Sequence, residues 1–123
     1  MKHHIVHLAL ATILLAGALH AQVPQLINYQ GRVAVGAVNF DGSGSFKFAL
    51  VNAAGTTTFW SNDNTSVASA QPTAAVALTV ARGLYSVLLG NASPPLSMTA
   101  IPASVWTNTD LMGVCGNMTV GTV

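Results

Sequence analysis

The side chains able to do chemistry in this sequence are few and poorly grouped. All four histidines, His3, His4, His7 and His20, fall before residue 22, and the chain has a single cysteine and no glutamate. Three aspartates, Asp41, Asp63 and Asp110, are its only carboxylate side chains. Acyl transfer by a serine triad or cysteine dyad needs a general base, and beyond residue 21 there is no imidazole to serve. Glycoside hydrolysis needs two carboxyls about 5–10 Å apart, whereas these aspartates belong to separate predicted loops. Zinc and iron sites lack ligands. Gly42-Ser43-Gly44 has neither the third glycine nor the following helix of a dinucleotide fingerprint, so it reads as a turn. Asn62, Asp63, Asn64 and nearby carbonyls could form a weak calcium site, since calcium takes oxygen ligands; the competing reading is a solvated turn. No enzyme is expected, and neither a metal nor a cofactor.

Stacked aromatics offer a second kind of site, because ring faces on β-sandwiches bind sugars. Trp60 and Trp106 are the candidate ligand-stacking residues. Tyr29 and Tyr85 point inward by alternation, and Phe59 and Trp60 point to opposite faces. For each aromatic the leading reading is a place in the core, which rings dominate in small domains, and sugar stacking is the alternative. Cys115 has no partner for an internal disulfide. It is expected as a small buried hydrophobe, with an intermolecular bridge as the alternative. Asn64-Thr65-Ser66, Asn91-Ala92-Ser93 and Asn117-Met118-Thr119 match the glycosylation pattern, as chance allows in a chain rich in Asn, Ser and Thr.

The elements that must position these residues begin after a secretory signal. Lys2 and three nearby histidines form a short basic start, Ile5 to Leu15 is almost wholly apolar, and Ala16, Gly17, Ala18 and Ala21 are small. Such a run falls within the roughly 7–15 residues of a signal core and short of the roughly 20 that span a membrane. Cleavage is expected after Ala21, with Ala18 as the alternative site and an uncleaved anchor as the competing reading. No cysteine lies near the cut to carry a lipid. The domains are therefore a signal peptide at 1–21 and one domain at 22–123.

About 100 residues remain, enough for one modest core. Arg32, Lys47 and Arg82 balance Asp41, Asp63 and Asp110, so no clustered basic surface exists for nucleic acid or anionic lipid. A chain with so little charge is expected to associate with itself or with another protein.

Alternation gives the strands. Gln25 to Val35 carries Ile27, Tyr29, Val33 and Val35 on one face. Asn39 to Ser45 reads as a turn cluster. Phe46, Phe48 and Leu50 face the core, with Lys47 in water, and Asn52 to Gly55 reverses the chain into Thr56 to Ser61. Ser61 to Thr73 is a polar loop without period. Val76, Leu78 and Val80 share a face, Ala81-Arg82-Gly83 turns, and Tyr85, Val87 and Leu89 are buried. Pro102 opens a helical turn over Ile101 to Trp106. Two weak strands, Leu111 to Val114 and Met118 to Val123, finish the chain. About seven short strands with frequent turns predict an all-β fold, an antiparallel β-sandwich preceded by a signal-peptide helix.

Pro24-Gln25-Leu26-Ile27-Asn28-Tyr29-Gln30-Gly31-Arg32-Val33, after a signal peptide, resembles the opening P-x-L-I-N-Y-Q-G-R-L of an amino-terminal β-sandwich module of secreted bacterial proteins. Phe46-Lys47-Phe48-Ala49-Leu50 and Thr58-Phe59-Trp60-Ser61 continue the likeness. Arg82 to Gly90 is similar to the module's N-G-L-F-S-V-x-L-G hairpin, and Ile101 to Trp106 to its proline-led helical turn. The resemblance implies a module at the head of a longer surface or fibre-like protein, sometimes with a self-processing chaperone domain at the far end, and no catalytic residues. From Met112 to Asn117 the chain departs from the module's pattern, as a truncated or frame-altered gene would.

The function expected is a secreted, non-catalytic structural or adhesive β-sandwich module at the bacterial cell surface. Its partner is another protein or itself, with no nucleic acid and no membrane span after signal cleavage. The alternatives are a carbohydrate-binding module using an exposed Trp, and a degenerate gene fragment.

Overall fold

The structure is a computed structural model that describes residues 25–120, with side chains described as far as residue 116. The expected signal segment and residues 121–123 lie outside the described residues. The elements are β1 (Ile27–Arg32), β2 (Ala34–Val35), β3 (Val38–Asn39), β4 (Gly42–Asn52), β5 (Thr58–Ser61), β6 (Val76–Val80), β7 (Leu84–Leu89), one helical turn α1 (Ala103–Trp106) and β8 (Met112–Val120). Every strand pair is antiparallel. The fold is all-β, as the alternation predicts.

Two sheets face each other. The smaller pairs β1 with β7, and the larger is organised around β4. Along one side of β4 runs the whole of β8. The other side is shared, with β6 pairing Gly42 to Phe46 and β5 pairing Ala49 to Val51. Inward residues of both sheets meet in one core. Phe46, Phe48 and Leu50 come from β4, Val76, Leu78 and Val80 from β6, and Val87 and Leu89 from β7. Met98 and Ile101 pack into the same core from the segment leading into α1, and Val105 from α1 itself.

The two most distinctive sequence phrases lie side by side. Gly31 of β1 sits in register with Tyr85 of β7. A Cβ at Gly31 would lie 2.5 Å from Tyr85 Cζ, so the glycine clears a berth for the ring. That ring leans on Phe46 with centroids 4.7 Å apart, and Phe46 stacks on Phe48 at 5.9 Å. An aromatic cannot lie flat across the neighbouring strand unless its partner lacks a side chain.

Three local expectations are corrected. The first strand breaks at Val33, whose N–H donates to the Gly83 carbonyl at 2.7 Å and whose carbonyl accepts from Phe40 N at 3.1 Å. Ala34 and Val35 consequently turn away into a hairpin with β3, and Val35 is 53% exposed rather than inward. Of the turn cluster placed at Asn39 to Ser45, Gly42 to Ser45 are instead the start of β4. Glycine and serine have little preference of their own; pairing with β6 recruits all four into the sheet, and β8 adds its bonds from Gly44 onward. The two weak strands at the end form one, because β4 templates nine residues of β8 in unbroken register through Gly116.

Between β6 and β7 the chain crosses from one sheet to the other. Ala81 N donates to Leu84 O and Leu84 N to Ala81 O, closing a two-residue loop. Arg82 and Gly83 have φ of 51° and 82°, so both central residues are left-handed, as in a type I′ turn. Arginine pays a steric cost at that φ which asparagine largely avoids. Arg82→Asn is therefore expected to raise stability by about 0.5–1 kcal/mol. A urea midpoint that falls or stays put would show that the arginine is not strained.

Candidate interaction surface

The structure separates the two tryptophans. Trp60, on β5, is 3% exposed, and its Nε1 donates to the Thr99 carbonyl at 2.8 Å. Its expected role as a stacking platform is thereby corrected: an enclosed ring has no face to offer a ligand. Alternation puts Phe59 and Trp60 on opposite sides of β5, and packing decides that Trp60 goes inward while Phe59 is partly buried against the same core. Trp106 closes α1 with 46% of its surface exposed, the neighbouring Val105 being the residue that α1 buries. Of the two candidates, Trp106 alone presents a ring.

The aspartates are likewise dispersed. Asp41 accepts from Arg82 N at 2.5 Å and braces the type I′ turn. Asp110 lies in the approach to β8, its N–H donating to Asn108 Oδ1 at 3.1 Å. Among the described residues no group of three or more His, Cys, Asp or Glu is placed to hold a metal ion.

Asp63 organises the polar loop. Its Oδ1 accepts from Thr65 N at 3.0 Å and Thr65 Oγ1 at 2.8 Å, and its Oδ2 accepts from Ala74 N at 2.6 Å. Donors converging on both oxygens make this carboxylate a loop tie, and the calcium alternative loses its chief ligand. Asn62 is spent as well, since both ends of its amide are bonded inside the fold. Partial burial alone would raise the Asp63 carboxyl, but the bonds from Ala74 and Thr65 outweigh it and hold the group below its ordinary value. A folded pKa below the unfolded one stabilises above the ordinary carboxylate range, and that contribution drains away as pH falls through the folded value. Water screens this largely exposed carboxylate, so Asp63→Asn should cost no more than about 1 kcal/mol at neutral pH and progressively less in acid. Urea titrations at pH 7 and pH 3 giving equal losses would contradict this.

Sequence reasoning missed the outer face of the larger sheet. Phe46, Phe48 and Leu50 face inward, so Lys47, Ala49 and Val51 face out, yet Ala49 and Val51 are buried. The loop segment Ser69 to Pro72 shares a concavity with these three residues and covers that part of the face. Cys115 stands opposite Ala49 in the β4–β8 register and is therefore outward and exposed. Its expected burial is corrected. The inward positions of this strand go to its neighbours, with Val114 packing on the core and Gly116 beneath the Phe48 ring.

The remaining feature is the far side of β8. Among the described residues β8 pairs with β4 alone. From Met112 to Val120 it contains no charged residue and no proline, and its pairing with β4 shows no register shift. Charges, prolines and bulges are the usual devices that stop an outer strand from recruiting another. Here they are missing, so β8 can accept a further strand by backbone hydrogen bonding.

Fold and surface together define a small antiparallel all-β domain in which, among the described residues, β8 forms an outer edge of the larger sheet. The chain belongs to the family described as a domain of unknown function, DUF8740, whose model matches residues 28–114. That match runs from the second residue of β1 into the first part of β8. No curated protein and no solved structure matches the chain.

Proposed function

We propose that this chain is a secreted, non-catalytic structural or adhesive module of a bacterial cell surface, which associates with protein partners or with itself through β8. The observation that carries the reading is the uncharged, proline-free, regularly paired β8 edge. Backbone groups there offer a ready template for another extended chain. A balanced set of three cations and three anions beyond residue 21 adds little repulsion between copies. Export is supported by the apolar amino-terminal run.

Size-exclusion chromatography with light scattering at micromolar concentration tests this reading. Association is expected, and Gly113→Lys is expected to reduce it at least tenfold. Position 113 faces open space, so a lysine fits without disturbing the core and sets like charges against each other where copies meet. A sharp monomer peak, unaffected by salt and unchanged by Gly113→Lys, would remove the assembly role.

A second reading, carbohydrate binding, rests on the exposed ring of Trp106. Saccharide binding on a glycan array, lost in Trp106→Ala with the fold intact, would promote it over the first.

A further inference from the structure

We propose that the concavity on the outer face of the larger sheet binds a carboxylate carried on a short aliphatic body, with Lys47 as its charge partner. This site does not depend on strand recruitment by β8. Its volume of about 290 Å³ falls just short of the range of roughly 300–1000 Å³ that ligand sites occupy, so it suits a small ligand. Ala49 and Val51 of β4 form an apolar floor, flanked on β8 by Cys115 and the Gly116 backbone. Ala70 and Pro72 form an apolar wall from the loop. The lining is therefore mainly hydrocarbon, the right surface for a short chain of methylenes.

Lys47 gives the cavity its sign, and Ser69, Gln71 and Cys115 are its uncharged polar lining residues. Lys47 is half-buried, and the lining includes this one cation and no carboxylate. A half-buried lysine lays its stem along the apolar wall and leaves its ammonium free to meet an anion brought along that wall. Ser69, on the opposite wall, has an Oγ shut off from solvent with no hydrogen-bond partner among the described residues. Unsatisfied buried hydroxyls are rare and call for an explanation. Rotation about the Ser69 Cα–Cβ bond presents this hydroxyl to a second ligand oxygen. One cation and one hydroxyl match a singly charged carboxylate, and a phosphate dianion would be left under-neutralised. With one ion pair and few buried methylenes the affinity is modest, a Kd of about 1 mM.

Cys115 lines the cavity and is exposed, which makes its alkylation a reporter of occupancy. The probe is hexanoate at about 10 mM, which at that affinity is expected to slow reaction of the intact protein with iodoacetamide about tenfold. Hexanol and acetate, each carrying half of the required chemistry, should slow it less than twofold. In Lys47→Met and Lys47→Gln, protection by hexanoate should vanish while the melting curve stays cooperative. A short peptide ending in valine, compared with its amide, separates the two sources of this chemistry. Protection by the free acid alone points to a chain terminus, and failure of both peptides beside a positive hexanoate result points to a small molecule. Equal effects of hexanoate and hexanol on the unsubstituted protein overturn the proposal, and so does full protection in a folded Lys47 variant. The first comparison needs no variant, so a misfolded substitution does not shelter the idea.

Discussion

Trp60→Ala is expected to lower stability by about 3–5 kcal/mol, the range for removing a fully packed ring. Two losses combine. The indole leaves a void among core side chains, and the Thr99 carbonyl loses the donor 2.8 Å away. A domain of this size has about 5–15 kcal/mol in total, so the loss takes about a third or more of a mid-range stability. Trp60→Phe should separate the two losses, retaining most of the volume and giving up only the hydrogen bond, for about 1–3 kcal/mol. Urea unfolding followed by circular dichroism measures both, and a loss below about 1 kcal/mol for the alanine variant would contradict the enclosed position. The result also governs how sugar binding is tested. Failure of Trp60→Ala to bind a saccharide would report a damaged core, whereas Trp106→Ala removes an exposed ring and should shift stability by no more than about 0.5 kcal/mol.

The second large effect is expected at Asn62. Between β5 and β6 the shared side of β4 has a gap opposite Lys47 and Phe48. One residue fills it. Asn62 N donates to Phe48 O at 3.0 Å, Asn62 Oδ1 accepts from Phe48 N at 2.9 Å, and Asn62 Nδ2 donates to Ala74 O at 2.9 Å. Its own carbonyl accepts from Thr99 N at 2.8 Å. The asparagine side chain thus imitates a stretch of backbone and carries the ladder from one strand to the next. Asn62→Ala leaves the Phe48 N–H and the Ala74 carbonyl without their partner, at about 1–3 kcal/mol for each buried group. A total of about 2–6 kcal/mol is expected, with Phe48 amide exchange accelerated more than that of β1 or β7. Asn62→Asp keeps the acceptor and gives up the donor, so at neutral pH it should rescue little. Alanine tolerated within about 0.5 kcal/mol would show that β5 and β6 hold β4 independently.

What could be read from the sequence was whatever depends on period two. Phe46, Phe48 and Leu50, then Val76, Leu78 and Val80, then Val87 and Leu89 are buried as alternation requires. The turn at Arg82-Gly83 was legible from its glycine. Contacts between distant residues were not. Gly42 to Ser45 look like a turn until two strands are laid beside them. Asn62 looks like one more polar loop residue, because its role depends on Phe48 and Ala74 arriving on either side. Alternation says that Phe59 and Trp60 diverge but not which goes in. The same holds for Cys115, since a slip of one residue in β8 would exchange its inward and outward sets. The covered outer face at Ala49 and Val51 left no periodic trace, for it depends on where a loop without period comes to rest.

The single long strand at the centre also sets the order in which the molecule can be completed. β4 is bonded along one flank by β5 and β6, both of which follow it closely, but its other flank waits for β8, about 60 residues further along the chain. A newborn polypeptide emerges from its amino end. Until Val120 has followed, the hydrophobic middle of the sheet is an unlatched seam, and whatever escorts the nascent chain must guard Phe46 to Val51 during that interval.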